Sequence, residues 1–547
     1  MLRSSLIVSL LSFVSTLLAF STQVLTATIF GAGPRIDRYL VASSVPFLVL
    51  GTLVGAISYS IVPTLADRRT RLVSRFPCFA GDLGVAFILI GLSLLLLGYL
   101  ISPYQVLFLA PELTGTQFDE CVFIARVCWG IAAVSCLTNF LMALHQAAHS
   151  FALPVSMSLL PYFGMLALIV TCGRTSGPAV LPLGMLLGTI AGLLPLLIGA
   201  RHHITIRPSV RRLATDVFPV VIALPAVGLS VLCTTMFGTI DGLWVYHLGP
   251  GALSYLGYSV RIIVALGSAI AQGVFVVLPP LLSCMAAADQ REDFRHQTER
   301  AIRFLFALSC PAAVIVGVLR VPLIELLFQR GAFDAQATLG TAAILPGFLL
   351  GMIAMVEVVL LLRILHVYKD VWGCVALGAI GSLLYFSLSA ALSYAYGIRG
   401  VSIAYCITWW LLLCIVLVLF SRRHACNILS DGAARFAGAI GVSSVMCGMS
   451  VSLCLRHFTI SCRDDGFVLA LLETLVSAAA GSIVFLVTAS RVFAVPEITY
   501  ATRCGLQLLS RILGLDRQFE HGRSDSSNRS ALSPCDCPQG SGARSSK

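Results

Sequence analysis

Arg261 stands inside an otherwise apolar run, YLGYSVRIIVALG, about ten residues from the nearest loop. A charged side chain at the centre of a membrane helix costs about 2.5–3.5 kcal/mol to insert, so it tends to line a cavity or find a partner. A guanidinium offers five donors in a rigid fork and is not neutralised in proteins, which suits a phosphate or diphosphate. The same residue could instead form a structural ion pair, and Asp241 and Glu357 are available for it. Two acids follow similarly worded elements: Phe30-Gly31 precedes Ile36-Asp37, and Phe237-Gly238 precedes Ile240-Asp241. Equivalent acids in two halves could gate one side of the molecule by pairing with Arg35, Arg38 or Arg261, and Asp37 could equally cap a helix. Glu357, within IAMVEVVLLL, could carry a proton, bind a cation or pair with a nearby arginine. Arg126, Arg320, Glu325 and Arg363 fall near the ends of apolar runs, where long side chains reach the interface.

Other chemistries lack their residues. The sequence contains no GxxxxGK[ST] phosphate loop, so the chain does not itself burn ATP, and no HExxH motif marks a metalloenzyme. A glycosyltransferase or phosphatase would gather acids or histidines in aqueous loops, whereas these loops are short and mostly basic. The expectation is a protein that is not an enzyme and needs no cofactor. Most of the 18 cysteines lie inside apolar runs, where they behave as small apolar side chains. Cys454 and Cys462 flank a loop and could pair, and the Cys535–Cys537 pair lacks the further ligands of a metal site.

The elements that position these groups are membrane helices. Hydrophobic residues make up 58% of the 547, charged residues only 11%, and mean hydropathy is +0.94. That leaves too little polar surface for a water-soluble fold, for which about 25% charge is usual. Apolar runs predict about fourteen spans: 4–30, 37–64, 80–101, 121–144, 151–172, 177–200, 213–238, 251–284, 301–328, 336–364, 372–397, 399–421, 433–455 and 467–492. The first has too long an apolar stretch for a cleaved signal peptide and only Arg3 ahead of it, so it is expected to be a span. Basic residues concentrate in alternate loops: Arg68, Arg69, Arg71 and Arg75; Arg201, Arg207, Arg211 and Arg212; Arg291, Arg295, Arg300 and Arg303; Arg422 and Arg423. Retention of positive charge on the cytoplasmic side places both termini there. The net charge of +11 is therefore membrane topology, and nucleic acid is not an expected partner.

Gly51–Arg69 (GTLVGAISYSIVPTLADRR) and Gly267–Met285 (GSAIAQGVFVVLPPLLSCM) each close an apolar helix on a proline, Pro63 or Pro279. Recurrence of these elements across an all-α polytopic chain predicts two pseudo-symmetric six-helix lobes, with a cargo site between them. The expected division is an N-terminal lobe over 1–200, a C-terminal lobe over 201–425, an appended pair of spans over 426–495, and a cytoplasmic segment over 496–547. In that last segment, 499–514 has the leucine spacing of a surface helix and the remainder the composition of a disordered tail. Residues 286–303 are expected to form a charged, helical cytoplasmic connector.

The order and wording of several segments resemble the MurJ/MviN family of lipid II flippases, within the multidrug/oligosaccharidyl-lipid/polysaccharide exporter superfamily. The matching pieces are IFGAGPRIDRYLVASSVPF (29–47), IVPTLADRR (61–69), GALSYLGYSVRII (251–263), VFVVLPPLLS (274–283) and LIELLFQRGAFDAQAT (323–338). The last is the most specific, with Arg330-Gly331-Ala-Phe333 at the end of the ninth span. The resemblance covers about 1–420. It implies that Asp37 and Arg261 belong to a charged central cavity that holds a lipid diphosphate, and that Asp241 matches an acid reported among sodium ligands. This chain departs from the family pattern in its first span, where LLAFSTQVL supplies Ser15, Thr16, Thr22 and Gln23 in place of two arginines. It also lacks the usual basic position after the proline of the second span, and the eleventh offers only Gly and Ser around Ser382, so a sodium site is not expected.

Together these features imply a flippase in the bacterial cytoplasmic membrane. Its cargo would be an undecaprenyl-diphosphate-linked glycan, most simply lipid II, moved by alternating access. Arg261, Asp37, Arg35 and Arg38 would be on the cargo side; Asp241, Glu357 and Arg330 would serve gating or coupling. Membrane lipid and cell-wall synthesis proteins are the implied partners. The rival readings are a flippase for an O-antigen-like or exopolysaccharide unit, a cation-coupled drug exporter, and a non-transporting scaffold of envelope synthesis.

Overall fold

The computed structural model describes residues 2–71, 75–148, 150–201, 203–205, 213–287, 290–367, 370–424, 432–461, 467–493 and 498–499. A segment that crosses lipid must satisfy its backbone hydrogen bonds internally, which a helix does. Among the described residues the chain is accordingly helical, with no strand. The first half runs α1 (Leu2–Phe30), α2 (Pro34–Ala56), a π-helical turn (Ile57–Ile61), α3 (Val62–Arg71), α4 (Phe76–Leu109), α5 (Gly115–Ala147), α6 (Ala152–Met157), α7 (Leu160–Ser176) and α8 (Val180–Ala200). The second runs α9 (Phe218–Thr235), α10 (Phe237–Val245), α11 (Ala252–Ala287), α12 (Arg291–Val318), α13 (Arg320–Phe328), α14 (Ala335–Val367), α15 (Val371–Tyr396) and α16 (Ile398–His424). The pair α17 (Ala433–Ser461) and α18 (Phe467–Val487) follows.

One set of pairings recurs in both halves. In the first, α1 packs on α7, α2 on α5, α4 on α5, α5 on α8, and α7 on α8. In the second, α9 packs on α15, α11 on α14, α12 on α14, α14 on α16, and α15 on α16. The two halves meet where α2 lies against α9, α10 and α11, and where α1 touches α13. Helices α17 and α18 pack on each other and α17 lies on α12. Small residues permit the closest approaches. A Cβ on Gly188 of α8 would fall 2.1 Å from the Leu160 carbonyl oxygen of α7.

Eleven helical stretches among the described residues are long and apolar enough to cross a membrane. The difference from the fourteen spans expected from the sequence has identifiable sources. Helices α6 to α8 merge into one stretch, Ala152–Ala200, while the first and seventh expected spans appear as the shorter apolar segments Val14–Phe30 and Thr215–Leu229. Residues 291–303, expected to be a connector, are the first turns of α12, braced by Arg303–Glu299 at 2.7 Å and Arg295–Glu292 at 3.0 Å. The expected surface helix at 499–514 lies, but for its first residue, outside the described residues, as do the tail with Cys535 and Cys537, and Cys462.

Helix α2 carries the sequence features on which the site depends. Pro34 opens it, since a missing N–H costs nothing in a first turn. Pro46 interrupts it and leaves the Ala42 carbonyl, four residues back, without its helical donor. The side chain of Gln105 in α4 repairs this, donating from Nε2 to the Ala42 oxygen at 2.9 Å while its own oxygen accepts from Trp129 Nε1 at 3.2 Å.

Candidate functional site

The Asp37 carboxylate closes one end of the boundary between the halves. It is buried, and its Oδ2 accepts from the Gly251 amide at 2.6 Å. Its Oδ1 accepts from the Ser254 amide at 2.8 Å and from the Ser254 hydroxyl at 2.5 Å. The first-turn amides of a helix have no intrahelical acceptor, so a carboxylate from the opposite half completes the N-terminus of α11. The cap is there, but for a helix of the other half and not for Asp37's own helix.

Two further hydrogen bonds reinforce the closure. Tyr258 donates its hydroxyl to the Gly31 carbonyl at 2.8 Å, and the Ala332 amide donates to the Thr28 carbonyl at 2.8 Å. Backbone meets backbone here because both turns are glycine. Gly31 and Gly331 have φ of +67° and +61°, and a Cβ on either would fall 2.3 Å from a carbonyl oxygen of the opposite half. Tyr258 also packs between the buried rings of Phe328 and Phe333, with ring centroids 5.3 and 5.2 Å away.

Inside the clasp lies a cavity of about 40 Å³, lined from α1 by Gln23 and Thr26, from α2 by Tyr39, and from α11 by Ser254, Tyr258 and Arg261. Ser254, Tyr258 and Arg261 follow at four- and three-residue spacing, which puts them on one face of α11. Arg261 is exposed and forms no ion pair with any described residue. Tyr39 and Tyr258 line the same cavity beside it. Neither structural partner considered from the sequence reaches it. Asp241 accepts a hydrogen bond from the Tyr385 hydroxyl, and both Glu357 oxygens are buried with no hydrogen-bond partner among the described residues.

The other candidates separate. Arg38 pairs with Glu120 of its own half at 3.3 Å. Arg35 is exposed in the first turn of α2. Arg330 donates to the Leu326 carbonyl at 3.0 Å, finishing the helix α13 that precedes the Gly331 turn. Asp241 sits among aromatic rings: Phe237 is 4.7 Å from Tyr385 and 5.2 Å from Trp409, and Tyr405 is 6.2 Å from Tyr385. The partner on the eleventh span is thus Tyr385, three residues past Ser382. Sequence reasoning missed Ser254, Tyr258, Tyr39 and Tyr385 as site residues. The signal for the first two was available, because they stand two turns and one turn ahead of Arg261 in the same motif. No group of three or more His, Cys, Asp or Glu residues that could hold a metal occurs among the described residues.

The site gathers polar groups from both halves around one cavity. It can hold an anion on a cavity-facing guanidinium, and it has a polar closure at one end that separates the halves when it breaks. A family model described as Lipid II flippase MurJ matches residues 26–464. A probable lipid II flippase MurJ from Rhizobium tropici is 26% identical over 464 residues, covering 81% of this chain and 85% of that protein. The Lipid II flippase MurJ of Burkholderia cenocepacia is 26% identical over 415 residues, covering 71% and 77%. Among solved structures, a lipid II flippase MurJ in an inward closed conformation superimposes with a TM-score of 0.73 at 19% identity, over 89% of this chain and 99% of that one. An inward-facing multidrug resistance transporter of the MATE family gives 0.65 at 14% identity, over 75% and 94%.

Proposed function

The chain belongs to the MurJ family of lipid II flippases, and from that premise we propose that it carries lipid II across the bacterial cytoplasmic membrane. It is a multi-pass membrane protein that moves its cargo without changing a bond. The observation that carries the reading is Arg261, a guanidinium without an ion-pair partner among the described residues, in a cavity between the halves. It holds the diphosphate, while the isoprenoid tail stays in lipid. Residues 1–200 and 201–425 act as the two lobes and rock about this site, with 426–495 as an appended pair. The arginine-rich loops, Arg68 to Arg71 among them, face the cytoplasm, which puts the Asp37 clasp on the outer side and both termini inside.

Asp37 then serves as the outer latch, and Arg330 as the terminator that sets the Gly331 turn against Thr28. Arg38 steadies α2 through Glu120, and Arg35 stands at the outer mouth, where a departing anionic head passes it. Asp241 and Glu357 are the acids available for coupling to an ion gradient. Membrane potential supplies about 2.3 kcal/mol per charge per 100 mV, a usable bias for an anionic head. The reading is tested by depleting the protein in its host and identifying the lipid-linked sugar that accumulates in the inner leaflet. Lipid II accumulation, reversed by wild type and not by Arg261→Ala, is the expected result. Accumulation of another lipid-linked glycan moves the cargo assignment to polysaccharide export, and rescue by Arg261→Ala removes the arginine from the site.

A further inference from the structure

The cavity beside Arg261 holds six polar side chains, and three of them are already committed. Thr26 donates to the Thr22 carbonyl at 2.6 Å, Ser254 to Asp37, and Tyr258 to the Gly31 carbonyl. The other three are the Arg261 guanidinium, the Tyr39 hydroxyl and the Gln23 carboxamide, none of which is hydrogen-bonded to a described residue. Gln23 and Tyr39 come from α1 and α2 and Arg261 from α11, so the set faces itself across the boundary between the halves.

These three groups differ in what they can recognise. The guanidinium is a fork of donors matched to a phosphate. A carboxamide is a neutral donor and acceptor side by side, and its full complement is a second amide. A sugar hydroxyl would meet one edge of it, whereas an acetamido substituent presents an N–H and a C=O to both. Polar groups built into a water-poor site discriminate by what is left unpaired when the wrong ligand enters. Asp37 does not line the cavity, and its carboxylate is engaged with the start of α11.

We infer that Gln23, with Tyr39 beside it, forms a neutral subsite that recognises the acetamido group of the sugar next to the phosphate held by Arg261. The inference rests on the carrier reading above. At about 40 Å³ the cavity has room for a few water molecules but not for a sugar, so the contact forms as the halves separate at the arginine-rich end.

The full-length chain in liposomes is given two fluorescent polyprenyl diphosphates, one bearing N-acetylglucosamine and one bearing glucose, and flux across the bilayer is read for each. Wild type should move the acetylated lipid faster by about tenfold, the worth of one buried hydrogen-bonding edge. Gln23→Leu and Tyr39→Phe should each bring that ratio toward one, and Tyr39→Phe removes a single oxygen, so it answers even if the leucine variant folds poorly. Arg261→Gln should depress both fluxes. A wild-type ratio near one, or a ratio that both variants leave intact, overturns the subsite while leaving the carrier standing. Wild type that moves neither lipid overturns the carrier reading and the subsite with it.

Discussion

Replacing Gly331 with alanine should open the clasp. Its φ of +61° is in the left-handed region, which costs an L-residue about 1–2 kcal/mol. The new methyl would start 2.3 Å from the Thr28 carbonyl oxygen, inside the 3.0 Å that real Cβ atoms essentially never undercut. Backbone cannot rotate out of the way as a side chain can, so the Arg330–Phe333 turn and the end of α1 must part. That movement breaks the Ala332 to Thr28 hydrogen bond of 2.8 Å, worth about 1 kcal/mol. The steric and hydrogen-bond costs fall on the closed arrangement alone, because Thr28 belongs to the other half. A shift of about 2 kcal/mol toward the open arrangement follows, roughly a 30-fold change in its population. Hydrogen exchange reads this directly. The Gly251 and Ser254 amides donate to Asp37 across the clasp, so they exchange when it opens. In lipid nanodiscs, Gly331→Ala should raise their exchange rate by about that factor while amides in the middle of α14 keep theirs. Unchanged exchange at 251 and 254 in a folded variant would refute the argument that the glycine contact holds the halves together.

Two changes away from the cavity test the polar repairs of the fold. Gln105→Leu removes the donor that the Ala42 carbonyl needs because of Pro46, so it should lower stability by about 1–3 kcal/mol and reduce the thermal midpoint in detergent. Tyr385→Phe strips Asp241 of its hydrogen bond inside a ring of aromatic side chains, and should destabilise by about the same amount. A Tyr385→Phe midpoint equal to wild type would mean that Asp241 is satisfied elsewhere.

Much of this architecture was legible in the letters. Apolar runs separated by arginine clusters announced membrane helices, and the paired FG…ID elements singled out Asp37 and Asp241, which are both buried but take partners other than the arginines suggested by the sequence. Arg261 was conspicuous because a guanidinium has no cheap place among isoleucines and valines. The partners were harder to see, for physical reasons. Asp37 binds two main-chain amides, and a main-chain amide has no letter of its own. Tyr39, Tyr258 and Tyr385 pass as apolar in a hydropathy scan, since each ring hides a single hydroxyl. Asp37 and Asp241 stand in similarly worded elements yet take different kinds of partner, one across the boundary between halves and one within its own half. Wording alone carries no information about that choice. A count of long apolar stretches differs from the sequence-based number in part because it joins 152–200 into one stretch, although α7 and α8 within it pack on each other.

Helix α4 is open to lipid along much of its length, with 22% of its most apolar stretch buried against 78% for α14. Its 34 residues extend about 51 Å at 1.5 Å each, in a hydrocarbon film about 30 Å deep. A rod longer than the film must lean or stand proud of it, and the degree of lean is set by bilayer thickness. α4 packs along α5, whose Glu120 grips Arg38 one residue from Asp37. The lipid environment therefore has a mechanical handle on α2, and acyl-chain length belongs beside cargo and voltage among the variables that set how readily the two halves part.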